Sequence, residues 1–529
     1  MAGTRPAGLV LLATLFVATV AFDVPHADSA AAQSAPVGRC TRAAASSMPD
    51  QKAHDHLDIT QHAFACRIRQ VFFDGLADEL AEQPDVVLGE MDVESGLAAV
   101  AVAYPESGVL FFDVANPAKP EFLSWYRGPK CETAIFDIDC GAYVDLSADG
   151  QVAFLSVQSL SVLPGSAPDP GQRPAPEPGV EVLDVRDPTL PLLVQTYPVA
   201  SLGGVHTSRS FVIPEGATED GPRSPGEYLF SIANGFGIEV TEVTRAGGVP
   251  QLVPVRRIDI IETHDMFLAN DRLTGRTYMY VAGGYASGFY VYDVTDPAQE
   301  VLLAEWDITP DCNDDWYAHT TDAVVRKGRR YVTIDAEIFD GGFSSTPSEE
   351  CGQLAGSSDK AGPLWIVDAT DLEKLGPANT AGDTDNPALE KASKRAVMTT
   401  WTNPAGRAGG NLTFSPHNQQ VVSNRIYLSN YHGGIYVLGA RATFRRGLRG
   451  VRPTERGFIV PHGKETRPIY VIDPPPRMPF FSAFPPSRPE IWDMVYYRGY
   501  ILAADMFGGF YSLQFDGDRA RLARKARRN

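Results

Sequence analysis

The chain has 529 residues, 65 of them acidic and 46 basic, for a formal net charge of -19. That balance excludes nucleic acid and anionic membrane as main partners, because both are bound chiefly through lysine and arginine. Length alone allows two or three average domains, but large all-β domains exceed the usual size, so internal repeats must decide.

Residues 1–32 read as a signal peptide: Arg5 is the positive start, Gly8 to Phe22 is an apolar run, and Ala30-Ala31-Ala32 offers small residues for cleavage. The apolar run is shorter than the roughly 20 residues a spanning helix needs, and no later segment is long and apolar enough, so no membrane insertion is expected. A secreted or periplasmic protein follows. Its six cysteines are then expected to pair. Proximity favours Cys40 with Cys66, Cys131 with Cys140, and Cys312 with Cys351.

After an N-terminal segment, 33–62, one unit recurs: GVLFFDVANPAKPEFL (Gly108 to Leu123), GVEVLDVRDPTLPLLV (Gly179 to Val194), GFYVYDVTDPAQEVLL (Gly288 to Leu303) and, more loosely, PLWIVDATDLEKLG (Pro363 to Gly376). Weaker echoes start at Gly434, Pro468 and Gly509. Each full copy is a glycine, an aromatic and β-branched strand, an Asp-x-x-Asp/Asn-Pro turn and a second apolar strand. A further strand pair lies upstream of each copy, so one unit holds four strands. Such spaced units indicate propeller blades. These repeats resemble the LVIVD-repeat family of exported β-propellers over most of Gly89 to Phe515.

The expected fold is all-β, a single seven-bladed β-propeller of four-stranded antiparallel blades over residues 63–516, with six blades as the alternative. Blades start near Glu90, Tyr143 to Asp145, His206, His264, His319, His417 and Glu490. The last blade ends one strand short after GFYSLQF, and Ala63 to Phe73 is expected to supply that N-terminal strand and close the ring. The Pro-rich stretch Leu163 to Pro178 and the Gly/Ser-rich run Phe343 to Gly362 read as loops on one face. Residues 517–529 read as a solvated basic tail.

Register turns four scattered histidines into one cluster, since His206, His264, His319 and His417 occupy one equivalent position and converge on the axis. Neutral imidazole suits iron, copper and zinc, and three or four imidazoles with an open position describe a catalytic site. A transition metal ion is the expected cofactor, with identity open among those three. His432, in the NYHGG turn, faces the same mouth; Glu90 and Glu490 share the histidine register. These three are the candidate acid/base or outer groups. The turns carrying Glu106, Tyr285, Asp335, Glu337 and Asp505 ring the cluster.

Pro416, His417, Ser429, Asn430, His432 and Gly433 resemble one blade of the selenium-binding protein family, which includes copper-dependent methanethiol oxidases. That likeness implies metal at the axis and, more remotely, thiol oxidation, although the family's cysteine pair has no counterpart here. ETHDMF (Glu262 to Phe267) is only faintly similar to carotenoid-cleaving oxygenases. Two functions stay open at this point. One is a metal-dependent oxidoreductase acting on a small molecule; the other is an extracellular propeller that binds a protein or glycan without catalysis.

Overall fold

The computed structural model describes residues 65–82, 86–104, 106–130, 141, 143–158, 179–200, 204–215, 217–218, 221–222, 224–233, 237–260, 263–284, 288–307, 317–337, 362–375, 387–403, 415–431, 433–461 and 490–526. Seven antiparallel sheets form the seven blades of a β-propeller. In chain order the inner strands are Val87–Glu94, Tyr143–Leu146, Val205–Ile213, Met266–Asn270, Tyr317–Arg326, Gln419–Val422 and Ile491–Tyr497. We number blades 1 to 7 from them.

Burial explains the strand composition. The third strands Gly179–Asp184, Phe289–Asp293 and Gly509–Phe515 are buried along their whole length, because neighbouring blades cover both faces. The outer strand Leu192–Pro198 is mostly exposed or half-exposed. These third strands therefore read as largely apolar runs, whereas that of blade 3, Gly237–Thr244, alternates and is only partly buried. The repeat that follows is a local turn: the first aspartate accepts the N–H two residues on, from Ala115, Arg186, Thr295 and Thr370 to Asp113, Asp184, Asp293 and Asp368. The intervening Val114, Val185, Val294 and Ala369 are buried and donate their N–H back to the blade.

Closure is more divided than expected. Ile68–Asp74 joins blade 7 beside Gly509–Phe515, as the missing strand requires. Two residues earlier, however, Ala65–Cys66 pairs with Thr454–Ile459 and becomes a fifth strand of blade 6. Arg67 makes the step between the two sheets with a φ of 59°. Residues 65–74 thus clasp two blades.

Nor is 517–529 simply a tail. Asp516–Ala526 is helical, and buried Asp518 accepts hydrogen bonds from Tyr427 and Arg425 of blade 6. Cys66 carries no free thiol. The other cysteines, with the three expected pairings, lie outside the described residues, as do His432, Tyr285, both long loops and the Pro468 echo.

Around the axis each blade is tied to the next by a side chain in, or just before, an inner strand. Asp493, Asp92, Asp145 and Asp322 accept the backbone N–H of Met91, Leu146, Ser210 and Val421 in the following blade. Gln420 accepts from Tyr496 in the same way. Arg209 donates to Asp265 between blades 3 and 4, and His264 Nδ1 donates to the His319 carbonyl between blades 4 and 5. All seven junctions are bridged.

One of these ties gives a pH prediction. Burial lifts the Asp322 carboxyl from its ordinary 3.8 to about 7, against the lowering effect of the N–H groups of Val421 and Ala323. Between those values the folded chain binds more protons than the unfolded chain, so stability falls as pH rises. Asp322→Asn removes that contribution, and urea titrations of the variant between pH 4 and 7 are expected to show a shallower decline than wild type. An unchanged slope would assign the dependence elsewhere.

Candidate metal centre

The four histidines stand at the entrance ends of four adjacent inner strands. His206 and His319 lie within their strands; His264 and His417 just precede theirs, with backbone N–H groups donated to Ala282 and Ser429 of the second strands. Their rings form an arc, with centroid separations of 4.3 Å from His206 to His264, 4.0 Å to His319 and 4.2 Å to His417. Pairing slips by a bulge between Val205 and Ser208 and between Ala318 and Thr321, spanning His206 and His319. A bulge re-aims a side chain that strict alternation would place on the other face.

Blades 2, 6 and 7 close the arc with aromatic rings. Tyr143 lies 4.3 Å from His206, while Tyr431 and Trp492 each lie 5.0 Å from His417. Tyr143, Tyr431 and Trp492 also share a buried apolar cluster with Val87 and Met506. The imidazoles consequently sit in a poorly hydrated setting. Desolvation lowers the pKa of all four, His206 to about 3, and the neutral form dominates at physiological pH.

Hydrogen bonds select the tautomers. His206 Nδ1 meets Gln158 Oε1 at 2.9 Å, His264 Nδ1 meets the His319 carbonyl at 3.3 Å, and His319 Nδ1 meets Thr320 Oγ1 at 2.7 Å. The first two acceptors have no hydrogen, and the Thr320 hydroxyl faces the His417 carbonyl and Asn418 Oδ1, both at 2.9 Å. Each Nδ1 is therefore the protonated nitrogen, and each Nε2 presents a lone pair. Yet the Nε2 atoms of His206 and His264 are 2.8 Å apart. Two lone pairs at that distance repel unless a ring changes tautomer or a cation lies against both.

The donor set fits a cation. Nitrogens bound side by side to one ion at about 2.0–2.1 Å lie roughly 3 Å from each other, close to the separation seen. Glu337, at the end of Arg329–Glu337, brings Oε2 to 3.5 Å from His319 Nε2 and Oε1 to 3.8 Å from His417 Nε2. Ligand atoms of His264, His319 and Glu337 all fall within 4.8 Å of one another. Tyr431 donates its hydroxyl hydrogen to Glu337. Burial, then Glu337, Tyr143 and Glu490, hold the Tyr431 phenol well above its ordinary pKa, so it keeps that proton.

The carboxylates of the histidine register are placed differently. Glu490 is buried near enough to act on Tyr431 electrostatically. Glu90 belongs to a charged layer behind the histidines: Arg209 Nη2 is 3.2 Å from it and 2.9 Å from Asp265, and Asn418 Nδ2 bridges Glu90 and Asp493 at 2.8 and 2.9 Å. Burial raises the Glu90 pKa although Arg209 opposes it. Asp335 accepts the Thr320 N–H, and Asp505 caps the turn at Phe507 and Gly508. Tyr431, Trp492 and Gln158 were not singled out from sequence. The signal for Tyr431 was its place beside His432 in the NYHGG turn.

No protein-family model matches the chain, and no curated protein matches it. Among solved structures, the WD40 repeats of RRP9 superpose with a TM-score of 0.42 at 10% identity, covering 84% of this chain and 97% of that one. The periplasmic gluconolactonase of Pseudomonas aeruginosa gives 0.39 at 14% identity, over 71% and 89%. BamB of Moraxella catarrhalis gives 0.37 at 11% identity, over 85% and 98%.

Proposed function

We propose that this is an exported, LVIVD-like propeller that binds one transition metal ion, iron, copper or zinc, through Nε2 of His206, His264, His319 and His417. It then acts as a metal-dependent enzyme on a small molecule. The observation that carries this reading is the pair of unprotonated Nε2 atoms 2.8 Å apart, each held by a hydrogen bond at its far nitrogen. Imidazoles oriented this way are typical of metal ligands. Their lowered pKa values remove proton competition for an ion.

When bound, such an ion supplies Lewis acidity or a one-electron couple. The chain's own residues do the rest. Gln158, the His319 carbonyl and Thr320 orient the rings, and Tyr143, Tyr431 and Trp492 exclude water. Glu337 faces His319 and His417 while Tyr431 stores a proton on its hydroxyl oxygen. Oxidoreductase chemistry is favoured over hydrolysis by the likeness of Pro416 to Gly433 to copper-dependent thiol oxidases.

Elemental analysis of protein purified without a histidine tag tests the proposal: near-stoichiometric iron, copper or zinc supports it, and metal-free protein that takes up none of the three on addition overturns it. Gln158→Leu keeps the ligands but frees the His206 ring. Metal affinity measured against a competing chelator is expected to fall about 10–100-fold. Unchanged affinity would show that Gln158 does not orient the site.

A further inference from the structure

The axis has a second opening. Residues downstream of the histidine position in the inner strands line a cavity of about 450 Å³, so it lies at the opposite end of those strands. Among the described residues its wall carries six carboxylates, Asp92, Glu94, Asp145, Asp265, Asp322 and Asp493, and a single basic side chain, Arg209. Gln419 also lines it. That residue is 8% exposed and donates Nε2 to the Thr320 carbonyl, while its Oε1 has no hydrogen-bond partner among the described residues. Phe211, Phe267, Met266 and Met494 form an apolar part of the same wall.

We infer that this cavity binds a small organic ammonium ion with an apolar stem. The wall offers acceptors in excess of donors, and the orphaned Gln419 oxygen asks for an N–H. A bare calcium ion suits it less: it needs oxygens drawn in to roughly 2.3–2.6 Å. Here Asp92, Asp145, Asp322 and Asp493 are each committed to a backbone N–H of the next blade and cannot collapse around one point. An ammonium group reaches such acceptors through bonds of about 2.7–2.9 Å. Its stem lies against the methionines, and the phenylalanine faces attract the cation. The volume is that of a small-molecule pocket, about 300–1,000 Å³. Glu94 agrees with a surplus of negative charge, since burial and then Asp92 push its carboxyl up to about 7.

Isothermal titration of the full-length protein with hexylammonium, hexanol, hexanoate and calcium chloride tests the inference. Hexylammonium is expected to bind, and the other three are not. Glu94→Gln should weaken hexylammonium by about tenfold, the value of one charge-assisted bond, while Gln419→Glu should tighten it. Equal binding of hexanol, a response to calcium alone, or unchanged affinity in both variants, each folded by circular dichroism, would overturn it.

Discussion

Replacing His264 by alanine is expected to abolish stoichiometric metal binding in a protein that still folds. His264 is the hub of the arc: its Nε2 faces His206 at 2.8 Å, its ring lies 4.0 Å from His319, and its Nδ1 ties blade 4 to blade 5. Removing it leaves His206 without a partner nitrogen. Loss of a ligand should cost more than the roughly 100-fold ceiling for residues that merely orient one. Folding is expected to survive because the lost hydrogen bond is worth only about 1–3 kcal/mol, and the Thr321 hydroxyl still donates to the Tyr280 carbonyl across that junction. Two measurements check this. Elemental analysis should show metal in wild type and none in the variant, and the rise in thermal midpoint on adding metal should vanish. Wild-type metal content in His264→Ala would remove His264 from the ligand set.

Arg209→Met is expected to produce the largest loss of stability of any single change near the axis. Among the described residues Arg209 is the sole guanidinium facing Glu90, Asp265 and Asp145, and its ionised form is strongly favoured by those carboxylates. Breaking a buried pair by deleting one partner typically costs about 3–5 kcal/mol, because the remaining charge is left uncompensated. The pH sign follows. Without Arg209 the Glu90 pKa, already raised by burial, rises further, so the folded variant binds additional protons and recovers stability on acidification. Urea unfolding should show a wide gap between variant and wild type at pH 7 and a narrower one at pH 5. Arg209→Lys should recover only part of the loss, since a point charge cannot bridge blades 1, 3 and 4 as the planar fork does. A methionine variant as stable as wild type at pH 7 would show that the carboxylates are satisfied by other groups.

The histidine cluster was legible in the sequence because each histidine stands where a four-stranded unit begins, at the head of its inner strand. In the full repeat unit the apolar third strand and the aspartate turn are encoded within about ten residues, so Asp113, Asp184, Asp293 and Asp368 marked four of the blades directly. Glu337 was readable too, as a residue of a turn that returns to the same mouth. The double role of Ala65 to Asp74 was not. Its single run of strand-forming residues contains no mark of the step at Arg67, which depends on two blade edges lying side by side. The helix Asp516–Ala526 was missed for a similar reason, since its anchor, Asp518, is meaningful only beside Arg425 and Tyr427.

The sequence by itself determined the propeller class, the strand order within a blade and the common position of the four histidines, and it favoured seven blades over six, because hydrophobic period and turn chemistry are local properties repeated from blade to blade. Tertiary structure alone decided depth. A bulge between Leu88 and Met91 surrounds Glu90, and another between Ile491 and Asp493 follows Glu490. One extra residue turns a side chain to the other side of a strand and leaves no trace in the apolar pattern. Glu90 thereby joins Arg209 behind the histidines, while Glu490 stays within reach of Tyr431. The tautomers that aim His206 and His264 at each other are likewise set by Gln158 and by the His319 carbonyl, partners that only the closed ring brings together.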